Sequence, residues 1–413
     1  MGFADNYFVR FQTEHATESQ PVPDNLGLAV VIPAYNEPDI EDTLISLLHN
    51  DDPGCITDVI LVVNAPDDDS KQSIARNLTD FQHYSEFAKT LEHPFIRLTV
   101  LWKAFSKKYA GPGSARKYGM DIALDRFNRL DNANGVILSL DADAVVAKNY
   151  LKAVHKHFQN HKEQDAATVY FEHPFQEDDD PIILYELYLR YFRHALQWSG
   201  YPHYFYFVGS CFAVKVSAYA EQGGMNRKNA GEDFYFLNKM ELNGNLGECN
   251  NTIIYPSGRI SDRVPFGTGQ EVKKIKATGS YDVYSMESFE LLAKVVQCID
   301  NTYGIEKSTY NDLIKAFPKP VVTWMEKIYL WDHIQDAHKN TTGKKAYFKR
   351  LYRYVDTFKI IRFLNYISET LYPKSAVKQE SAILADKLGI HYENNTGVSL
   401  LEAYRKHDKF KNQ

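Results

Sequence analysis

Four short apolar runs organise the first third of the chain. Leu26–Pro33 (LGLAVVIP), Asp58–Asn64 (DVILVVN), Ile96–Trp102 (IRLTVLW) and Val136–Leu140 (VILSL) each end in a polar turn. Uninterrupted rather than alternating hydrophobicity predicts strands covered on both faces. Between the runs the spacing becomes helical. After Pro38 and Asp39, Ile40, Leu44, Leu47 and Leu48 recur at helical intervals; after Gly111–Gly113, so do Ala115, Gly119, Ile122, Ala123 and Phe127. Strands alternating with helices predict βαβ units, and so an α/β fold with a mostly parallel central sheet.

After Gly269 the strand pattern stops. Helical spacing predicts helices at Met286–Cys298, Val321–His333, Ala346–Tyr366, Ala376–Leu388 and Leu400–Lys409. The expected organisation is one α/β domain over residues 1–269, with halves of about 26–145 and 146–269, then a helical region over 270–413. Ile182–Trp198 reads as an amphipathic helix that covers a core. Tyr201–Phe207 (YPHYFYF) is a candidate sugar platform, because rings with polar tips can stack on a pyranose and bond its hydroxyls. His155, His157 and His161 lack a His-Glu-x-x-His pattern and are expected on a solvated face.

Composition narrows the function. With 413 residues and 44% hydrophobic content the chain can bury a large core, and a net charge of −6 argues against a nucleic-acid-binding face. Four cysteines without C-x-x-C spacing suit reduced thiols. Residues 1–15 carry no apolar stretch of signal-peptide length, and no run of 18 apolar residues occurs. The expected setting is cytoplasmic. Ala346–Tyr366 is rich in Lys and Arg and has an apolar stripe of Phe348, Leu351, Val355 and Phe358. A core-packed helix with a solvated basic face is expected, with peripheral contact at the anionic inner face of a membrane as the competing reading.

The chemistry concentrates at Asp141 and Asp143, directly after the fourth apolar run. In open α/β sheets ligands bind at the carboxyl ends of strands. Two carboxylates spaced i, i+2 suit Mn²⁺ or Mg²⁺, which takes one or two protein carboxylates and completes its shell with substrate phosphates.

The order of motifs carries a resemblance. VVIPAYNE at the first strand end, an acidic loop after the second strand, Gly-x-x-x-Ala-Arg before a helix, and LDADA after the fourth strand resemble the family 2 glycosyltransferases of the GT-A fold. So do Val208–Met225 (VGSCFAVKVSAYAEQGGM) and Gly231–Met240 (GEDFYFLNKM). The resemblance spans about Leu26 to Gly269. It implies a GT-A fold and metal-dependent, inverting transfer of a sugar from a nucleotide-diphosphate donor to a carbohydrate, lipid or other hydroxyl acceptor. It places the nucleoside over Pro33, Ala34, Tyr35 and Glu37, over Asn64 and Asp67, and over Gly113 and Arg116. It makes Asp143 the direct metal ligand and Asp141 a second ligand or a ribose contact. Asp233 becomes the catalytic base, with Glu232 beside it. Arg259 and Arg263 supply charge-assisted contacts to the diphosphate.

Two departures matter. The second strand ends in Asn64-Ala65-Pro66, with its acids delayed to Asp67–Asp69, where the family has an acidic pair at the strand end. The Gln-x-x-Arg-Trp run of processive members is missing, which argues against a polysaccharide synthase. A sugar nucleotidyltransferase and a non-enzymatic nucleotide-sugar-binding relative remain alternatives. The first lacks its usual Gly-rich basic loop here.

Overall fold

A computed structural model describes residues 2–11, 21–226, 231–243, 245–261 and 267–410. Two compact units form, and the chain passes between them more than once. The first holds the residues up to Pro174 together with Phe207–Gln270; the second holds Phe175–Tyr206 and Glu271–Phe410.

The first unit is built on an eight-stranded sheet. Its strands are β1 (Leu26–Ala34), β2 (Ile56–Pro66), β3 (Ile96–Phe105), β4 (Val136–Ser139), β5 (Val145–Val146), β6 (Ala166–Phe171), β7 (Phe212–Lys215) and β8 (Leu246–Tyr255). They lie in the order β3-β2-β1-β4-β7-β6-β8-β5. The run from β3 to β4 is wholly parallel, and β6 pairs parallel with β8. β7 is antiparallel to both its neighbours, and β5 is antiparallel to β8. β1 is flanked by β2 on one side and β4 on the other, so chain order reverses across it. That reversal opens a crevice at the carboxyl ends of β1 and β4, the usual place for a ligand in such sheets.

The apolar runs do what their composition demands. In β1, Leu28–Ile32 have no solvent exposure, nor do Ile60–Val63 in β2. Helix Pro112–Arg129 lies close against β1 and β2, and Gly119 permits the approach: a Cβ there would come 2.5 Å from Val31 Cγ1 and 2.9 Å from Val62 Cγ2. The same helix is tied to the sheet by a fully buried ion pair between Arg126 and Asp58 of β2. Thr99 of β3 closes the group, donating to Asp58 Oδ1 at 3.2 Å and accepting from Arg126 Nη2 at 3.1 Å.

The second unit is helical apart from a two-stranded ladder, Asp282–Val283 against Ser375–Ala376. The expected linear split near residue 269 is crossed by Phe175–Tyr206. Helix Pro181–Trp198 buries Ile182, Ile183, Leu187, Tyr191 and Ala195, and packs on helices Val377–Leu388 and Gly397–Phe410. A buried polar network fixes it there. Arg190 bonds Glu186 and Asp408, His194 Nε2 lies 2.7 Å from Asp408 Oδ1, and Arg405 reaches Glu186 Oε2 at 2.6 Å.

Several local expectations are corrected. Tyr201–Phe207 is no sugar platform along its length: Tyr201, Phe205 and Tyr206 are buried, with the Tyr201 hydroxyl on the Val355 carbonyl and that of Tyr206 on Asp408. His157 is not solvated but buried, 2.7 Å from Gln164 Oε1. Val321–His333 breaks into Lys319–Lys327 and Leu330–Asn340 at Tyr329, which has a left-handed φ of 51°. Ala346–Tyr366 breaks into Lys344–Tyr354 and Thr357–Thr370, because Asp356 caps the second helix by accepting from Lys359 N–H at 3.0 Å. Leu351 and Val355 of its apolar stripe are buried within the unit.

Asp58→Ala would leave the Arg126 charge buried without its partner. Breaking one side of such a pair costs about 3–5 kcal/mol. Urea unfolding monitored on the first unit's signal should show a loss of that size; a loss under about 1 kcal/mol, the range of exposed pairs, would mean that the pair does not anchor the helix.

Candidate active site

The crevice is furnished by strand ends and by two helix starts. Beyond β1 the chain turns through Asn36, at a left-handed φ of 47°, a conformation Asn tolerates better than most residues. Asn36 is held by Asn77: its N–H donates to Asn77 Oδ1 at 2.9 Å, and Asn77 Nδ2 returns a bond to Asn36 Oδ1 at 2.9 Å. The adjacent Tyr35 hydroxyl donates to Asp69 Oδ2 at 2.8 Å. The loops after β1 and β2 are therefore laced together.

Two guanidiniums organise the acids. Arg259 reaches Asp39 Oδ2 at 2.8 Å and Asp143 Oδ2 at 3.1 Å, and also pairs with the buried carboxylate of Glu37. Arg116 is 3% exposed. Its Nη2 lies 2.6 Å from Asp141 Oδ1, and its Nη1 pairs with the buried Glu232. Asp233 is partly exposed; its Oδ1 accepts from Phe234 N–H at 2.8 Å. Gly209 closes the group. A Cβ there would come 2.9 Å from Asp233 Oδ2 and 3.2 Å from Arg116 Nη2, so a larger residue would have to displace the Asp233 carboxylate.

Charge balance shapes the acidities. Burial raises both Glu232 and Asp233 above the usual carboxylate range; Arg116 opposes this without cancelling it, and repulsion from Asp233 adds to the rise of Glu232, which reaches about 7. Burial would lower Arg116, but Glu232 and Asp141 overcome it and raise it. Arg259 is likewise raised, its acids outweighing its burial.

The sequence candidates divide into groups. Glu37, Asp143 and Arg259 meet in one cluster; Arg116, Asp141, Glu232 and Asp233 meet in the other. Ala34 and Asn64 are joined by Asn64 Nδ2 donating to the Ala34 carbonyl at 2.8 Å, so that amide is committed to the fold. Asp67 is exposed, and its carboxylate accepts from Lys107 N–H at 3.2 Å. Pro33 lies near the end of β1 and Gly113 in the first turn of Pro112–Arg129. Arg263 lies outside the described residues. Asp39 and Gly209 were missed by motif reading. Asp39 stood in plain view as a helix-opening acid, whereas nothing in the sequence marks the clearance at Gly209.

The donor set suits a hard divalent ion. Asp143 and Asp141 offer carboxylate oxygens at the strand end, and Arg259 joins Asp143 to Glu37 and Asp39. Among the described residues no three His, Cys, Asp or Glu side chains form a ready-made cage. Among the described residues no helix is long and apolar enough to cross a membrane.

Glu232 generates a pH prediction. Its raised pKa means that the folded state holds a proton between about 4.5 and about 7 that the unfolded state has released. This contribution to stability is complete below the lower value and lost as pH rises through the upper one. Melting temperatures at pH 5 and pH 8 should fall further for the wild type than for Glu232→Gln; parallel profiles would show that Glu232 titrates normally.

Comparison with known proteins gives one family match. Residues 29–223 match the model of the glycosyl transferase family 2. No curated protein matches the chain. Among solved structures, Staphylococcus aureus TarS 1-349 aligns at 13% identity and a TM-score of 0.37, covering 94% of this chain and 92% of that one. Its complex with UDP-GlcNAc aligns at 14% identity and a TM-score of 0.38, covering 92% and 89%. GalNAc-T7 with UDP, GalNAc and Mn²⁺ aligns at 12% identity and a TM-score of 0.37, covering 70% and 54%. Over residues 29–223 the chain is thus similar to the glycosyl transferase family 2, and the enzyme class this supports is that of a glycosyltransferase.

Proposed function

We propose that the chain moves a sugar from a nucleotide-diphosphate donor to an acceptor hydroxyl, with inversion and with the help of Mn²⁺ or Mg²⁺. The observation that carries this reading is the tie of the strand-end acid Asp141 to Glu232, the first member of the Glu232–Asp233 pair, through the Arg116 guanidinium. One set suits the donor end and the other the acceptor end.

Asp143, with Asp141 beside it, would hold the ion, which as a Lewis acid offsets charge on the leaving diphosphate. Arg259 lies against Asp143 with its side chain partly exposed, and would place a positive charge beside the same phosphates. The loops after β1 and β2, fixed by Asn36–Asn77 and Tyr35–Asp69, form the floor for the nucleoside. Asp233 takes the acceptor proton. It is the member of its pair with accessible surface, while Glu232 is buried on Arg116. We do not extend the proposal to a membrane: the apolar stripe of Lys344–Tyr354 is used in packing, which leaves only a charged outer face.

Asp143→Ala should abolish the Mn²⁺-dependent part of nucleoside diphosphate binding. Calorimetry with UDP and with GDP, each with Mn²⁺ and with chelator, measures it. Equal affinities throughout, in wild type and variant, would remove the ion from the proposal.

Asp233→Asn keeps shape and removes basicity. General-base assistance is worth about 10²–10⁴ in rate. Turnover of a bound sugar nucleotide should fall by about a hundredfold or more, while Mn²⁺-dependent diphosphate affinity stays close to wild type. Near-wild-type turnover, or a product of retained anomeric configuration, would displace Asp233 as base.

A further inference from the structure

The geometry points to Arg116 as a positioning residue that sets the place of the base pair relative to the donor-end carboxylate, rather than as a contact to the donor. This rests on the glycosyltransferase reading. The guanidinium is buried, and its two terminal nitrogens serve two different parts of the chain. Nη2 lies 2.6 Å from Asp141 Oδ1, one residue past the Leu140 that follows β4; Nη1 pairs with Glu232, the first residue of helix Glu232–Asn243. Its Nε has no partner among the described residues, so the two terminal contacts alone align the plane. A phosphate approaching either terminal nitrogen would compete with a carboxylate already bound there.

The surroundings leave this group little room. Ser139 Oγ of β4 donates to the Gly209 carbonyl at 2.7 Å, which draws the Gly209 backbone onto the end of that strand. A Cβ at Gly209 would then press on both Asp233 Oδ2, at 2.9 Å, and Arg116 Nη2, at 3.2 Å. Asp141, Arg116, Gly209 and the Glu232–Asp233 pair form one contiguous unit. A planar fork can hold two carboxylates at a fixed separation and angle, whereas an ammonium is a point charge that fixes neither. Arg116 thereby acts on the reaction through Asp141 and Glu232: it sets how far Asp233 stands from the sugar that the donor end presents.

Arg116→Lys tests this. Lysine keeps a positive charge between the acids but loses the fork. Mn²⁺-dependent affinity for UDP or GDP, whichever the wild type binds, should stay within about threefold, whereas turnover of the matching sugar nucleotide should fall by about a hundredfold, the scale of a 1 Å misplacement. An equal loss in affinity and turnover would make Arg116 a donor ligand and overturn the inference, as would wild-type turnover. A second arm needs no activity. Asp141→Asn and Glu232→Gln should shift the melting temperature non-additively in the wild type and additively in an Arg116→Gln background, because the guanidinium is what joins them. If the wild type turns over no sugar nucleotide, the functional reading fails and this cycle alone decides: coupling lost with Arg116 upholds the tie, and additive shifts in both backgrounds overturn it.

Discussion

The structure depends on how the carboxyl end of its sheet handles negative charge. Glu37, Asp39, Asp141, Asp143, Glu232 and Asp233 face two guanidiniums, Arg116 and Arg259. Such an excess cannot be buried in fully ionised form at low dielectric. The protein answers in two ways. Where the acids are buried, their acidity weakens: Glu232 is held up to about 7. Where they reach solvent, at Asp141 and Asp143, each keeps a guanidinium beside it, Arg116 or Arg259. The strand order that places β1 between β2 and β4 brings these acids to one crevice, so topology and electrostatics make the same site.

Much of this was legible because the sheet interior leaves a strong mark. Continuous branched apolar runs located β1 to β4, and the acids that follow β4 were located with them. Strand ends were less legible for a physical reason. β2 and β3 run on to Pro66 and Phe105 because Asn64, Ala65 and Pro66 pair with Lys103, Ala104 and Phe105. Backbone pairing carries those strands past Asn64 and Lys103, the polar residues that interrupt their apolar runs.

What a buried face packs against is a different question from whether it is buried. The spacing of Ile182–Trp198 announced one apolar face, but Arg190 and His194 are the residues that join its partner, Asp408, more than two hundred positions along the chain. Polar residues inside a helix pattern read as its solvent side, so this network left no sequence signal. The same blindness misplaced Tyr201–Phe207, whose polar tips suit a wet cleft and a buried hydrogen bond equally. Arg116 is the sharper case. A basic residue at the start of a helix beside a glycine loop reads as a ligand contact, and only the fold reveals that both its terminal nitrogens are already taken by acids.

The two arginines then separate the roles in the site. Both are surrounded by carboxylates, but Arg116 is 3% exposed whereas the Arg259 side chain keeps 28%. A buried, doubly paired guanidinium is expensive to move, because each carboxylate it left would stay behind as an uncompensated buried or half-buried charge. A partly exposed one can rearrange at lower cost, since water replaces what it gives up. The acids around Arg116 therefore belong to the framework. The acids around Arg259 face the side on which charge can be exchanged for a ligand's. By this reasoning Glu232 is fixed by its ion pair with Arg116, and the charge most open to exchange lies with Asp143 and Arg259.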